Sequence, residues 1–322
     1  MPWIEDFIKL NFPIFGSELR IQEAHALKHK NLPEAIYQYH PYEEARIETF
    51  EQNSIWLSDP SKFNDPFDCA INVDFSQVGK NKWLENMTPE ARSSHGITDA
   101  LLKQAKASED PLTFLTNWLV ENGKMTAAAA VAVKKAIVEV SEKNYEQMRQ
   151  KWFYQNHKTT KVSCFSTHPD LFLMWSYYTR GHTGFCLRYE PKPFSVDDIR
   201  VRMLYPVIYS DIPFDMTGYL STGRENPAVP LNILYSIQGV ITKSSEWKHE
   251  NEWRFVASGG VVPNASRFGF IPATAIYLGF GLDTNARKRL IGIAKHKKLR
   301  IFEMKLSKTV YKLEATEIPN SN

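Results

Sequence analysis

The chain has 322 residues, of which 43% are hydrophobic and 13% aromatic, so it can form a core and is not a disordered protein. Its formal net charge of +3 is too small to predict nucleic-acid or membrane binding by itself. We find no secretory signal and no apolar run of the roughly 18 residues that a membrane span needs. Three widely spaced cysteines, Cys69, Cys164 and Cys186, predict buried thiols in a reducing cytoplasm rather than disulfides or a zinc site.

The first quarter of the chain alternates short helices and strands. Residues 1–34 predict an N-terminal helical extension. A strand is expected at 35–40, where Pro41 ends it, followed by a helix at 43–52 and a second strand at 54–58.

Residues 82–155 are rich in alanine, glutamate, lysine and leucine, which predicts a helical insertion. Strand patterns return at 161–166, 184–189, 204–209, 253–257, 275–279 and 299–304, with a helix at 285–297. Strands therefore flank helices at both ends of the chain. This order predicts the α+β class, with a single domain at 35–318 built on an interrupted mixed or antiparallel sheet.

The first polar motif, at 57–69, contains two turns in which Asp precedes Pro. Such turns either form a rigid surface loop or hold polar side chains at the rim of a pocket. The side chains in question are Ser58, Asn64, Asp65 and Asp68.

The second motif is an aromatic segment at 172–178 followed by a glycine-flanked turn. Trp175 and Tyr178 would share one helix face, as a packed core or as a stacking platform. Arg180 and His182 lie in the turn, where glycine permits close backbone approach. Core packing explains His182 less readily than it explains the aromatic residues.

The third motif lies at 243–254. If a strand begins at Glu250, then Glu250, Glu252 and Arg254 share one face, and Trp253 and Phe255 face the core. The polar face is then either a solvated strand surface with ion pairs or part of a site.

Together these motifs resemble the bacterial domain-of-unknown-function family 2971. The resemblance covers roughly residues 35–318. Its blocks are the Tyr-rich strand at 36–40, the SxPxxFNDPFDC signature at 58–69, the strand ending in CFS at 164–166, W-x-x-Y-x-x-x-H-x-G-x-C at 175–186, K-x-x-x-W-x-x-E-x-E-W-R at 243–254 and a strand–helix–strand at 276–304. His40 departs from the Arg or Lys that often closes the first strand. The family has no agreed activity, and its members resemble accessory genes of phage defence or stress.

The order of elements is also similar, more weakly, to ADP-ribosyltransferases. That similarity implies NAD as co-substrate of an ADP-ribosyltransferase or an NAD glycohydrolase, and it leaves open whether a nucleic acid or a protein is the acceptor. It implies catalytic roles for His40, Ser58, Glu250 and Glu252. Nucleotide binding would then involve Tyr39, Asn64, Asp65, Trp175, Tyr178, Arg180, His182 and Arg254.

Two alternatives remain open from the sequence. One is a Mg²⁺-dependent nuclease that uses Asp65, Asp68, Glu250 and Glu252. The other is a non-catalytic nucleotide-binding sensor or effector subunit. The motifs G-x-G-x-x-G, G-x-S-x-G and H-E-x-x-H are absent, which argues against a Rossmann dehydrogenase, a serine-hydrolase elbow and a zincin.

Overall fold

The computed structural model describes residues 2–141, 143, 160–222, 230–257 and 267–319. The strands are β1 (Ile36–His40), β2 (Ser54–Trp56), β3 (Ile71–Asn72), β4 (Lys161–Ser166), β5 (Phe185–Tyr189), β6 (Leu204–Pro206), β7 (Ile208–Ser210), β8 (Phe214–Asp215), β9 (Thr242–Ser244), β10 (Glu252–Ala257), β11 (Arg267–Gly269), β12 (Ala275–Leu278), β13 (Arg300–Leu306) and β14 (Leu313–Ile318).

The α-helices are α1 (Pro2–Asn11), α2 (Ile21–Lys30), α3 (Glu44–Glu51), α4 (Phe75–Glu85), α5 (Pro89–His95), α6 (Asp99–Ala107), α7 (Pro111–Glu121), α8 (residues 127–141), α9 (Phe172–Tyr178), α10 (Ile199–Arg202), α11 (Thr217–Ser221), α12 (Tyr235–Ile241) and α13 (Thr284–His296). Single 3₁₀ turns lie at Gly16–Glu18, Pro60–Lys62 and Ser245–Glu250. No helix among these is both long and apolar enough to cross a lipid bilayer.

Eight of the strands form one mixed sheet, in the order β14-β13-β12-β5-β1-β4-β10-β6. The neighbours are antiparallel except β12 and β13, which are parallel and connected by α13. The predicted mixed α/β fold with a mixed sheet is therefore confirmed. The predicted domain boundaries stay predictions.

Side chains alternate across the sheet and so build a core on each face. One core contains Ile36, Phe165 and Phe255, covered by side chains of α3, β2 and α13. The other contains Tyr39 and Tyr277 beneath α9. The central strands are consequently buried on both sides, and polar groups between them must find partners within the protein.

The sheet opens between β1 and β4. These two strands share a single register pair, Tyr37 with Ser166, whereas β1 pairs with β5 over five positions and β10 with β4 over six. Beyond that pair, the backbone of Ser58 pairs with the edge of β4 that β1 leaves free. Ser58 and Val162 exchange two backbone hydrogen bonds, at 2.8 and 2.9 Å. The divergence leaves a gap at the centre of the sheet.

Several predicted boundaries were wrong. The strand expected at 54–58 ends at Trp56 and pairs with β11, outside the main sheet. The strand expected at 204–209 is divided after Pro206, which has no N–H to donate, and its two halves join different sheets. For the helical insertion predicted at about 82–155, the described helices of this region begin at Phe75, and residues 144–155 lie outside the described residues.

The N-terminal helices pack against the β10–β6 side of the sheet. Trp3 stacks on Trp253 at 6.2 Å between ring centroids. On α2, the buried Lys28 ammonium donates to three backbone carbonyls around α10, at 2.6 to 3.1 Å. Burial holds the pKa of Lys28 well below its usual value. These contacts fix the strand that carries Glu252.

Candidate functional site

A cavity of about 340 Å³ opens where β1 and β4 diverge. Its walls come from the diverging strands, helix α3, strand β2 with the loop after it, helix α9, and the segment from β9 to β10. The lining residues are Tyr37, Gln38, Tyr39, His40, Pro41, Arg46, Trp56, Ser58, Lys62, Phe63, Asn64, Asp68, Val162, Ser163, Cys164, Phe165, Ser166, Met174, Tyr177, Tyr178, Lys243, Glu250 and Glu252.

A buried cluster of five charged side chains forms one end of this cavity. The fully buried guanidinium of Arg254 donates to both oxygens of Asp68, at 2.7 and 2.8 Å, and to Glu252 Oε1 at 2.8 Å. Lys243 Nζ lies 2.5 Å from Glu250 Oε2 and 2.9 Å from Glu252 Oε2. Three carboxylates and two cations give this cluster one net negative charge when all five groups are ionised.

The two glutamates in this cluster have opposite pKa shifts. Burial opposes ionisation of Glu252, but the adjacent charges of Arg254 and Lys243 outweigh burial and hold its pKa at about 2. Burial raises the pKa of Glu250, the charge of Glu252 raises it further, and Lys243 only partly compensates. Glu252 is therefore a permanent anion, and Glu250 is the carboxyl group suited to exchanging a proton.

A turn, rather than a strand, positions Glu250. The condition considered from the sequence, a strand that begins at Glu250, is not met, because residues 245–250 form a 3₁₀ turn and β10 begins at Glu252. Asn251 adopts a left-handed conformation (φ 48°) that ends the turn. The Glu250 carboxylate accepts from Tyr178 Oη at 2.7 Å, and its backbone carbonyl accepts from Ser166 Oγ, also at 2.7 Å.

His40 lies at the end of β1 and also lines the cavity. Its imidazole is 3% exposed and forms no hydrogen bond with the described residues. Burial, with a contribution from the charge of Arg46, lowers the pKa of His40 to about 3. The ring is therefore neutral at physiological pH and offers one N–H donor and one nitrogen acceptor.

The loop after β2 contributes polar groups that have no partner in the described part of the chain. These are the side chains of Ser58, Lys62 and Asn64. Arg46 lies beside them, with its guanidinium 4.9 Å from the centre of the Trp56 ring. The cavity lining thus combines the cations of Arg46 and Lys62 with carboxylates of the buried cluster.

Three residues predicted for nucleotide binding lie elsewhere. Trp175 is fully buried and donates from Nε1 to the Pro169 carbonyl, so it cannot stack on a ligand. Arg180 is on the surface, paired with Glu43. His182 is enclosed by Phe172 and Phe280 on the far side of α9. The structure assigns these three side chains to packing and to the surface.

Two further predicted residues, Arg254 and Asp65, do not line the cavity. Every nitrogen of Arg254 donates to a protein acceptor, so no donor is left for a phosphate. Asp65 caps a turn by accepting from the Phe67 N–H at 2.8 Å and does not line the cavity. Tyr39 does line the cavity, although its hydroxyl donates to the His168 carbonyl.

Sequence reasoning missed several residues of this site, among them Gln38, Arg46, Lys62, Ser163, Tyr177 and Lys243. Lys243 is the first residue of the block at 243–254 that resembles the family. Its position in that block, seven residues before Glu250, was the sequence signal that could have identified it. Gln38 lies two positions before His40, so strand alternation places both on one face. Cys164, which was expected to be buried, is partly buried in the cavity wall; all three cysteines are free thiols.

Within the described ranges, no group of three or more His, Cys, Asp or Glu side chains is arranged to hold a metal ion. The carboxylates of Asp68, Glu250 and Glu252 instead face the cations of Lys243 and Arg254. A divalent cation would have to displace those cations from buried positions.

Comparison with known proteins identifies one family. Its model, described as "Protein of unknown function (DUF2971)", matches residues 174–255. Neither the curated proteins nor the solved structures contain a match to the chain. The matched segment runs from α9 to β10 and includes Tyr178, Lys243, Glu250 and Glu252. Over these residues the chain is similar to the DUF2971 family.

Proposed function

We propose that the chain is an NAD-consuming enzyme of the ADP-ribosyltransferase type, which breaks the bond between nicotinamide and ribose in this cavity. The observation that carries the proposal is Glu250, a carboxyl group with a raised pKa that is held at the cavity wall by Tyr178 and Lys243. It lies beside Glu252, which stays ionised. One proton-exchanging and one permanent carboxylate suit the cleavage of a glycosidic bond.

The charges of the site match this reaction. When the bond breaks, nicotinamide leaves as a neutral molecule with the bonding electrons, and positive charge develops on the ribose. The net negative charge of the buried cluster stabilises that positive charge. Water, or the hydroxyl group of a nucleic-acid or protein acceptor, then attacks the ribose and gives its proton to Glu250.

The remaining lining suits the rest of a dinucleotide. Arg46 and Lys62 supply positive charge for the pyrophosphate. Neutral His40, with Ser58 and Asn64, supplies hydrogen bonds for ribose hydroxyls. The cavity volume of about 340 Å³ lies within the range of roughly 300–1,000 Å³ usual for small-molecule sites. Consumption of NAD in the cytoplasm is an activity suited to an effector of phage defence or stress.

The buried cations argue against the nuclease alternative. A Mg²⁺ site needs free carboxylate oxygens, but both oxygens of Asp68 and of Glu252 accept from Arg254 or Lys243. Asp65 lies outside the cavity lining. Three of the four acids foreseen for the metal, Asp68, Glu250 and Glu252, are therefore already paired with cations of the protein.

The test is nicotinamide release from NAD by wild-type protein and by Glu250→Gln, with cell extract supplied as acceptor. We expect the variant to lose about 100-fold or more in rate, the range for a proton-transferring group. Its fold should persist, because the glutamine oxygen can accept from Lys243 while its NH₂ group donates to Tyr178. Glu246→Gln, an exposed change on the same turn, is the matched control and should keep wild-type activity.

Binding of NAD should be measured alongside release. If wild-type protein binds NAD tightly but releases no nicotinamide, and Glu250→Gln binds NAD equally well, the protein is a nucleotide-binding sensor rather than an enzyme. Absence of both binding and release would overturn the proposal.

A further inference from the structure

Gln38 has an unusual position in the cavity wall. Its side chain is 7% exposed, and Nε2 donates to Ser163 Oγ at 2.6 Å. Its Oε1 atom is buried and has no hydrogen-bond partner among the described residues. Buried polar atoms are paired in the great majority of cases, so an unpaired acceptor in a cavity wall points to a ligand that completes it.

The pair lies at the split in the sheet. Gln38 comes directly after Tyr37, the last β1 residue paired with β4, and Ser163 is on β4 beyond its own last pair with β1 at Ser166. Their side chains meet across the gap between the diverging strands, and both line the cavity. If β1 and β4 stayed paired here, backbone hydrogen bonds between them would close this gap.

The two side chains together present one acceptor and one donor. With the Gln38 amide placed as described, Oε1 is the free acceptor and the Ser163 hydroxyl proton is the free donor. With the amide rotated by 180°, Nε2 becomes the free donor and Ser163 Oγ the free acceptor. The complement is the same in either case: a ligand group with an N–H donor next to a carbonyl oxygen, as in a primary carboxamide.

We infer that Gln38 and Ser163 recognise the carboxamide of the ligand and make the site selective for NAD over its nicotinic acid analogue. This inference rests on the proposed function, because it assumes that a pyridine nucleotide occupies the cavity. The analogue carries a carboxylate in place of the carboxamide. It would place a negative oxygen against Gln38 Oε1 and would leave that buried acceptor unpaired.

The experiment measures dissociation constants and pyridine-base release for NAD and for the nicotinic acid analogue. Wild-type protein should prefer NAD by roughly tenfold to a hundredfold, the effect of one or two lost hydrogen bonds in a buried site. Gln38→Met keeps the side-chain length without the amide and should reduce that preference to within about threefold. Ser163→Ala should reduce it as well, and it provides a second variant should Gln38→Met fold poorly. Gln22→Met, an exposed change on α2, should leave the preference intact.

The outcomes separate this inference from the proposed function. Loss of selectivity in both variants, with NAD still processed, supports the carboxamide assignment. Equal use of NAD and its analogue by active wild-type protein overturns the assignment and leaves the enzyme proposal standing. Failure of wild-type protein to bind or process either nucleotide overturns both.

Discussion

The ammonium group of Lys243 donates to Glu250 Oε2 at 2.5 Å and, at 2.9 Å, to the Oε2 atom of Glu252. One cation thus joins the last residue of a 3₁₀ turn to the first residue of β10. The turn between them includes the left-handed Asn251, which alone would not fix how close the two carboxylates lie. Lys243 therefore positions Glu250, the carboxyl group with the raised pKa, and neutralises part of the charge of the cluster.

Lys243→Met should destabilise the protein strongly. It leaves Glu250 and Glu252 buried side by side without their shared cation, and breaking a buried ion pair costs about 3–5 kcal/mol in free energy of unfolding. The loss should be smaller at pH 5 than at pH 8, because Glu250 can then take up a proton and become neutral. Urea unfolding at both pH values measures this. Lys248→Met, exposed on the same turn, should change stability by less than about 0.5 kcal/mol.

Glu252→Gln should lower stability in a pH-dependent way. The pKa of Glu252 is about 2 in the folded protein, against an ordinary value of 4.5. Its charge therefore contributes stability that is fully present above pH 4.5 and is lost as the pH falls through 2. We expect a deficit of about 3 kcal/mol at pH 7 that shrinks towards zero near pH 2. The measurement is urea unfolding of both proteins between pH 7 and pH 2. A stability difference that stays constant over this range would contradict a low pKa for Glu252.

The sheet could be predicted from the sequence largely because side-chain alternation and turn residues are local signals. The strands at 161–166 and 275–279 were predicted within one residue of their observed ends. The strand expected at 54–58 shows the limit of this reasoning. Alternation indicates that a strand forms but does not reveal its partner, and its partner β11 lies more than 200 positions away in sequence.

The site was predicted less completely. Glu250 and Glu252 were expected to share a face through strand alternation, but they meet because a turn and Lys243 bring them together. Trp175 was predicted to bind the nucleotide because it lies in an aromatic motif. Only the packing of α9 against Tyr39 shows that it belongs to the core. The orphaned acceptor of Gln38 depends on the divergence of two strands, which no sequence pattern indicates.

Tyr178→Phe should shift the pH dependence of nicotinamide release. The Tyr178 hydroxyl donates to Glu250 Oε1 at 2.7 Å, which favours the ionised carboxylate and lowers its pKa. Removing the hydroxyl should raise that pKa further, so the acid limb of the rate profile moves to higher pH. The variant should also lose about 1.5–3 kcal/mol of stability, the usual contribution of a hydrogen bond to a charged group.

The neighbouring Tyr177 provides the control for this shift. Tyr177 lines the same cavity but is 55% exposed, and its hydroxyl does not contact Glu250. Tyr177→Phe should leave the acid limb where it lies in wild-type protein. An equal shift in both variants would mean that the limb reports a group other than Glu250.

Gly184→Ala should disturb the end of β1 that carries His40. A Cβ atom at position 184 would lie 2.0 Å from the His40 carbonyl oxygen and 2.9 Å from Thr179 Cβ, and the first of these is backbone that cannot rotate away. We expect a loss of about 1–3 kcal/mol in free energy of unfolding, typical of overpacking, together with weaker NAD binding as His40 is displaced. Gly292→Ala is the matched control, because it lies on α13 with no atom within 4 Å of the added Cβ. That change should stabilise the protein by about 0.5–1 kcal/mol, since alanine favours a helix interior over glycine. Equal unfolding midpoints for the two variants would show that β5 and the end of β1 do not approach as closely as the structure describes.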